Sequence, residues 1–331
     1  MADPDQTRLL TLIDLPALLV EAERVTFANR AALALLGAHI VGENVRIALR
    51  APDAVALITR ADGGRARLTG ISIPGSNWEM ACHVLDGKTR LVTLQDMSIQ
   101  VSVARAHADF VANASHELRT PLAAIIGYVE TLSDDKAGGD AATRHRFLGI
   151  INREARRVQS LIEDLMSLSR IEAHKHEAPV EPVELVALAR EVAGEFAESS
   201  APQVVSNVEN AVVGGDRSQL AQVIRNLVDN ATKYGRPDGK VSISLECAPT
   251  GWLLLTVSDD GEGIAPEHLP RLTERFYRAD AGRSRLLGGT GLGLAIVKHI
   301  VERHRGRFDI TSRLGQGTTA TITLPLTGPA V

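Results

Sequence analysis

The stretch Phe110-Val-Ala-Asn-Ala-Ser-His116-Glu-Leu-Arg-Thr-Pro-Leu122 decides how the rest of the 331-residue chain is read. It lies on a seam of small or apolar positions, Val101, Ala104, Ala108, Val111, Ser115, Leu118, Leu122, Ile125, Val129 and Leu132, spaced alternately three and four apart. That spacing predicts a long helix packed in a coiled coil or bundle. His116 falls one step past seam position Ser115, on the flank facing water. An exposed neutral imidazole is a competent nitrogen nucleophile near neutral pH. Glu117 could orient the ring or accept its proton, and the Thr120 hydroxyl, one turn above on the same face, could position a water. Pro121 cannot donate to the Glu117 carbonyl, so a bend is expected beside the histidine. Taken singly, each residue reads rather as a surface position in a helix with an incidental proline.

A polar turn, Ser133-Asp-Asp-Lys-Ala-Gly-Gly-Asp140, follows, and Phe147, Ile151, Ala155, Val158, Leu161, Leu165 and Leu168 then repeat the helical period. Two long helices joined by a short turn make a hairpin. A lone hairpin leaves part of its seam uncovered, so two are expected to pair into a four-helix bundle, which predicts a homodimer.

Three zones result: residues 1–100, 101–175 and 180–327, with Pro179 and Pro182 marking the second boundary. In the first, Leu18–Val20, Val25–Phe27 and Leu91–Leu94 read as short strands around a helix that starts near Asn29 and stops at Gly37. In the third, helical stretches (183–198, 216–235, 291–304) alternate with strands at Val241–Leu245, Trp252–Val257 and Thr319–Leu324. The chain is therefore expected to be multidomain α+β.

Composition narrows the function. Lys and Arg number 36 against 40 Asp and Glu, a net charge of −4 that argues against a nucleic-acid binder. Aromatic residues are 3% of the chain, too few for a stacking surface. Cys82 and Cys247 have no metal-ligand spacing and fit a reducing compartment. No apolar run reaches the roughly 18 residues that cross a bilayer, and Met-Ala-Asp-Pro-Asp5 does not open a signal peptide. A cytoplasmic location is expected, either of a soluble protein or of the cytoplasmic part of an inner-membrane protein whose anchor is missing.

Four further segments carry chemistry. Asn226 and Asn230 are four apart, so both amides leave one helical face and could share a hard cation with phosphate oxygens, while Lys233 could meet a phosphate. Asp259-Asp-Gly261-Glu-Gly263-Ile264 follows a strand, placing an acceptor beside closely approaching backbone; alone it is also a common turn. Gly288-Gly-Thr290-Gly-Leu-Gly293-Leu294 leads into a helix, whose N-terminal amides suit phosphates. It is neither a Walker A loop nor a dinucleotide fingerprint. Arg271, Arg275, Arg278, Arg283 and Arg285 surround Phe276-Tyr277 and read as a lid over an anionic ligand, or as a solvated charged face. Together these segments make a nucleotide site beside a separate exposed histidine.

In this order the motifs resemble those of the two-component sensor histidine kinases, over residues 105–326. Ser115–Pro121 is similar to that family's H box, Asn226–Tyr234 to its N box, Asp259–Ile264 to its G1 box, Glu274–Arg278 to its F box, Gly289–Leu294 to its G2 box, and Gly315–Thr318 to its last glycine motif. The resemblance implies a histidine-phosphotransfer hairpin at 101–175 and a Bergerat-type α/β sandwich binding ATP at 180–327. His116 is then the phosphoacceptor, with Glu117 and Thr120 as catalytic residues of an H-E-x-x-T pattern in which the threonine supports regulator dephosphorylation. The ATP site would comprise Asn226, Asn230, Lys233, Tyr234, Asp259, Gly261, Gly263, Phe276, Arg278, Gly289, Thr290, Gly291, Leu292, Gly293 and Thr318. Within it, Asp259 would recognise adenine and Asn226 and Asn230 would hold Mg²⁺. The implied partners are a second copy of the chain and a response regulator receiver domain.

Asp109–Asn113, Gly127–Leu132, Arg271–Arg278 and His299–Gly306 resemble the phosphate-regulon sensor kinases in particular. Leu15–Val20 and Phe27–Asn29 give the first hundred residues the look of a PAS sensor domain. Two other readings remain at this point: an ATPase of the gyrase, mismatch-repair or heat-shock chaperone type, against which His116 in its hairpin speaks, and a kinase-like scaffold that only binds its regulator.

Overall fold

The computed structural model describes residues 4–71, 73–85, 88–133, 140–196, 202–208, 211–236, 239–248, 251–280, 282 and 289–327. These form two compact units, one up to Val111 and one from Ala112 onward.

The first unit carries α1 (Pro4–Leu10) and strands β1 (Ala17–Glu21), β2 (Arg24–Ala28), β3 (Gly64–Thr69), β4 (Asn77–Val84) and β5 (Thr89–Asp96), paired antiparallel in the order β2-β1-β5-β4-β3. Alternation along the strands sends Leu18, Val20, Met80, Val92 and Leu94 to one face. There they pack under α2 (Arg30–Leu36), α3 (Val45–Ala48) and α4 (Pro52–Thr59) through Ala32, Val45, Ala54 and Leu57. The opposite face sets Ala17, Leu19, Phe27 and Leu91 against Leu10 of α1.

The helix expected from Asn29 to Gly37 is present, and Asn29 does more than cap it. Its Oδ1 accepts from the Ala32 and Ala17 amides, at 2.9 and 3.0 Å, while Nδ2 reaches the carbonyls of Leu10, Ile13 and Leu15. One buried amide thus satisfies backbone groups from the helix, the sheet and the N-terminal segment. Gly37 ends α2 with φ at +91°, a left-handed region that glycine enters without steric cost.

The hairpin consists of α5 (Ser98–Ser133) and α6 (Ala141–Ala173); α5 begins in the first unit and continues in the second. Asp140 caps α6 by accepting from the Thr143 amide at 2.8 Å. Pro121 sits buried inside α5 and does not end it. Seam residues Val111, Leu122 and Val129 stand about half exposed. Most of the turn between the helices, residues 134–139, lies outside the described residues.

Beyond the hairpin, β6 (Pro182–Glu184) pairs with β8 (Val212–Gly214), so Pro182 opens a strand rather than a linker, and α7 (Leu185–Glu195) starts two residues later than the helical pattern suggests. Strands β7 (Gln203–Ser206), β9 (Ser242–Ala248), β10 (Trp252–Asp259), β11 (Arg307–Arg313) and β12 (Gly317–Pro325) form a sheet ordered β11-β12-β10-β9-β7, antiparallel except for β7 on β9. Alternate residues of β10, namely Leu253, Leu255 and Val257, are buried. Helix α8 (Arg217–Tyr234) packs on β10, on α7 and on α9 (Gly293–Arg303), and α9 also contacts α6.

A buried imidazole ties α9 to the start of α8. His304 Nε2 accepts from the Asp216 amide at 3.0 Å, so Nδ1 carries the proton and donates to the Ile300 carbonyl at 2.7 Å. Burial holds its pKa below the usual imidazole value of 6.5. A base depressed in this way contributes stability that is present above its unfolded pKa and lost as pH falls through that value toward the folded one. The thermal midpoint is therefore expected to drop between about pH 7.5 and 5.5, and less steeply in His304→Gln. His304→Ala, which strands the Asp216 N–H, is expected to cost about 1–3 kcal/mol at pH 7.5, measurable by denaturant titration.

Candidate active site

Segments far apart in the chain close around a cavity of about 450 Å³ in the second unit. Helix α8 supplies Asn226, Asn230, Lys233 and Tyr234 along one face, as the i, i+4 spacing requires. The end of β10 supplies Asp259, the following loop Gly263, and the neighbouring strand Thr318. Arg278, Gly289, Thr290, Gly291 and Gly293 also line it.

Two glycines are conformationally required. Gly263 (φ +71°) passes so close to Arg313 that an added Cβ would lie 2.0 Å from its carbonyl oxygen. Gly291 (φ +75°) would meet the Phe276 backbone at 2.9 Å. That close approach helps fix Phe276, which takes φ +64°, an unusual left-handed conformation for a bulky residue, and donates its amide to the Gly291 carbonyl at 2.8 Å.

Three expected ligand residues are placed elsewhere. Gly261 sits behind Asp259, its amide donating to Oδ1 at 2.9 Å. Leu292 is fully buried, and its amide donates to the Thr290 hydroxyl. Phe276 borders a second cavity. Gly288, Arg283 and Arg285 lie outside the described residues.

The electrostatics inside the first cavity are mixed. Lys233 pairs with Asp229 at 2.6 Å. Burial pushes the Asp259 carboxyl up, opposed by the amides of Gly261 and Thr318. Asn226 donates through Nδ2 to the Gly293 carbonyl at 3.3 Å, which leaves its amide oxygen as an acceptor. Among the described residues no cluster of His, Cys, Asp or Glu could hold a metal alone. Amide oxygens are nonetheless ligands that suit a hard cation shared with phosphates, so the two asparagines fit Mg²⁺.

The second cavity, about 340 Å³, is bordered by Asn113, His116, Glu117, Arg271, Glu274, Arg275, Phe276 and Tyr277. His116 is exposed, as its place beside the seam predicts. Thr120 donates its hydroxyl to the His116 carbonyl at 3.2 Å. Glu117 Oε2 accepts from Arg157 at 3.1 Å and from Arg278 at 2.9 Å. Tyr277 borders both cavities, and Arg278 borders the first while binding the carboxylate beside His116. Segment 276–278 is thus a shared wall. Of the arginines read as a lid, Arg271 pairs with Glu274 and lies over the Tyr277 ring, and Arg275 pairs with Glu172. Only Arg278 among the described ones borders the first cavity.

Helix α6 contributes residues that its seam pattern does not reveal. Asp164 borders the first cavity, accepts the Thr290 hydroxyl at 2.7 Å, and is pushed up in pKa by burial. Arg157 and Glu172 engage Glu117 and Arg275. Helical spacing puts Arg157 and Asp164 off the apolar seam and Glu172 on its continuation, four past Leu168, and nothing local in the sequence says which element they will meet.

Residues 106–174 match the family described as the His Kinase A (phospho-acceptor) domain, and residues 215–328 the histidine kinase-, DNA gyrase B- and HSP90-like ATPases. The chain is 40% identical over 239 residues to the phosphate regulon sensor protein PhoR of Pseudomonas aeruginosa, across 71% of this chain and 53% of that protein. It is 34% identical over 239 residues to the sensor protein SrrB of Staphylococcus aureus, across 71% of this chain and 41% of that one. It thus spans about half the length of the curated relatives it matches. The solved histidine kinase ThkA, in complex with response regulator protein TrrA, aligns over 99% of both chains with a TM-score of 0.56 at 19% identity, a likeness of fold. With a phospho-acceptor match around His116 and an ATPase match around the first cavity, in that order, the chain belongs to the sensor histidine kinases.

Proposed function

We propose that this chain autophosphorylates His116 from ATP and passes the phosphoryl group to an aspartate of a response regulator. The observation that carries this reading is the shared wall: the cavity collecting Asn226, Asn230, Lys233, Asp259 and the glycine loop adjoins the one that exposes His116. Asp259 would accept a hydrogen bond from the adenine, Lys233 and the N-terminus of α9 would meet phosphates, and the oxygens of Asn226 and Asn230 would hold Mg²⁺. The bound ion supplies charge neutralisation on the polyphosphate. An imidazole nitrogen of His116 forms the P–N bond as the bond from the γ-phosphorus to the β-phosphate oxygen breaks, and ADP leaves. Glu117 accepts the proton released from the ring. Positioning and charge stabilisation carry most of such a reaction.

The half-exposed seam at Val111, Leu122 and Val129 supports a homodimer. The ThkA complex supports a receiver domain as the second partner. Thr120, one turn from His116, would orient a water that removes phosphate from the regulator. The first unit, an antiparallel sheet with α2, α3 and α4 on one face, fits a PAS-like sensor, and the identity to PhoR supports phosphate-starvation signalling. Among the described residues no helix is long and apolar enough to cross a membrane; we place the kinase portion in the cytoplasm, either as a soluble protein or tethered by an anchor outside this chain.

Incubation with γ-labelled ATP and Mg²⁺ tests the reading. Acid-labile, base-stable label is expected on the wild type, with Asn230→Ala reducing it at least about a hundredfold. ATP turnover without a protein adduct would instead favour a simple ATPase.

A further inference from the structure

Glu117 is held by two guanidiniums whose situations differ. Arg157, 9% exposed, comes from within the hairpin and has a second carboxylate, Glu154, at 4.0 Å. Arg278, 7% exposed, comes from the wall between the cavities, and its ion pair is with Glu117. The Arg278 Nε is buried without a hydrogen-bond partner, although the residue borders the cavity read as the nucleotide site. A buried donor left unsatisfied favours any acceptor that reaches it. Phosphate oxygens are strong acceptors that guanidinium engages through several donors at once. Two residues before Arg278, Phe276 sits in the left-handed region, a conformation that surrounding contacts must sustain.

Moving Arg278 away from Glu117 would strand no charge. Glu117 keeps Arg157, and Arg278 gains phosphate. Breaking a buried pair is costly chiefly when one member is left alone, and here neither is.

We propose that Arg278 exchanges between Glu117 and the phosphates of a bound nucleotide, so that filling the cavity releases the carboxylate beside His116 to Arg157 alone. Arg157 is then a positioning residue that keeps Glu117 next to the imidazole throughout. The proposal rests on the nucleotide reading above and adds to it a coupling between the hairpin and the ATP cavity. Such coupling is reciprocal in binding free energy: whatever loosens Glu117 from Arg278 must tighten nucleotide.

The test is a calorimetric titration of the full chain with a non-hydrolysable ATP analogue and Mg²⁺. Glu117→Gln is expected to bind it about fivefold more tightly than the wild type. Glu117→Asp, whose shorter side chain weakens the reach to Arg278 with the charge kept, is expected to tighten it less. In an Arg278→Ala background, Glu117→Gln should change nothing, since the exchanging group is gone. Equal affinity in wild type and both Glu117 variants would overturn the exchange. Tightening that persists without Arg278 would also overturn it, pointing to bulk charge instead. Failure of the wild type to bind the analogue at all would withdraw the nucleotide reading itself, and the proposal with it.

Discussion

His116→Gln is expected to lower phosphoryl incorporation by at least about a thousandfold, the scale on which losing a nucleophile acts, while nucleotide affinity stays within about twofold of wild type. The separation follows from geometry. His116 is exposed and borders the second cavity, whereas the groups expected to grip nucleotide border the first. Glutamine suits a helix as well as histidine does, and the Glu117 pairs with Arg157 and Arg278 do not involve the imidazole. Labelling with γ-labelled ATP reads the first quantity and titration with a fluorescent nucleotide reads the second. Label that persists at wild-type level would move the phosphosite and remove His116 from the mechanism.

Asp259→Asn should act in the opposite sense, weakening nucleotide by about ten- to a hundredfold, the value of a hydrogen bond to a charged acceptor. The carboxylate accepts from the Gly261 amide through one oxygen and is also held by the Thr318 amide, yet its four lone-pair sites leave acceptor capacity for a ligand. An amide keeps the shape and can place a donor where the ligand also donates. The same substitution carries a stability signature. Burial raises the Asp259 pKa, and a carboxyl raised in this way contributes stability that is fully present below its unfolded value of 3.8 and lost as pH rises through the folded one. At neutral pH the ionised group therefore costs folding free energy. The midpoint of thermal unfolding without nucleotide should rise in Asp259→Asn while affinity falls. A fall in both would show that the residue serves the fold, and unchanged affinity would remove it from the site.

Much of the site is legible from local pattern. The i, i+4 spacing of Asn226 and Asn230, the acidic residue at a strand end, and the glycines before α9 each depend on a few neighbouring residues, and all line one cavity. The hairpin helices follow from the seam, and α2 from its Asn cap and Gly stop. Phe276 and Leu292 show the limit of motif reading. Both stand among ligand-facing residues, yet packing turns Leu292 into the core and the left-handed backbone carries Phe276 to the other cavity. Pro182 shows a related limit, since its pairing with Gly214 depends on a residue 32 positions away.

From sequence alone come the hairpin, the order of the motifs and the chemistry of each, because helical and strand periods and capping are decided within a few residues. Tertiary structure decided which charges meet. Glu117 finds Arg157 forty positions on and Arg278 a further turn of the fold away, at a separation of 161, and Asp164 finds Thr290 at a separation of 126. Such pairs form only where docked elements bring desolvated side chains within about 3 Å. That distance is set by how whole helices pack against the ATP-binding domain, which no local spacing encodes.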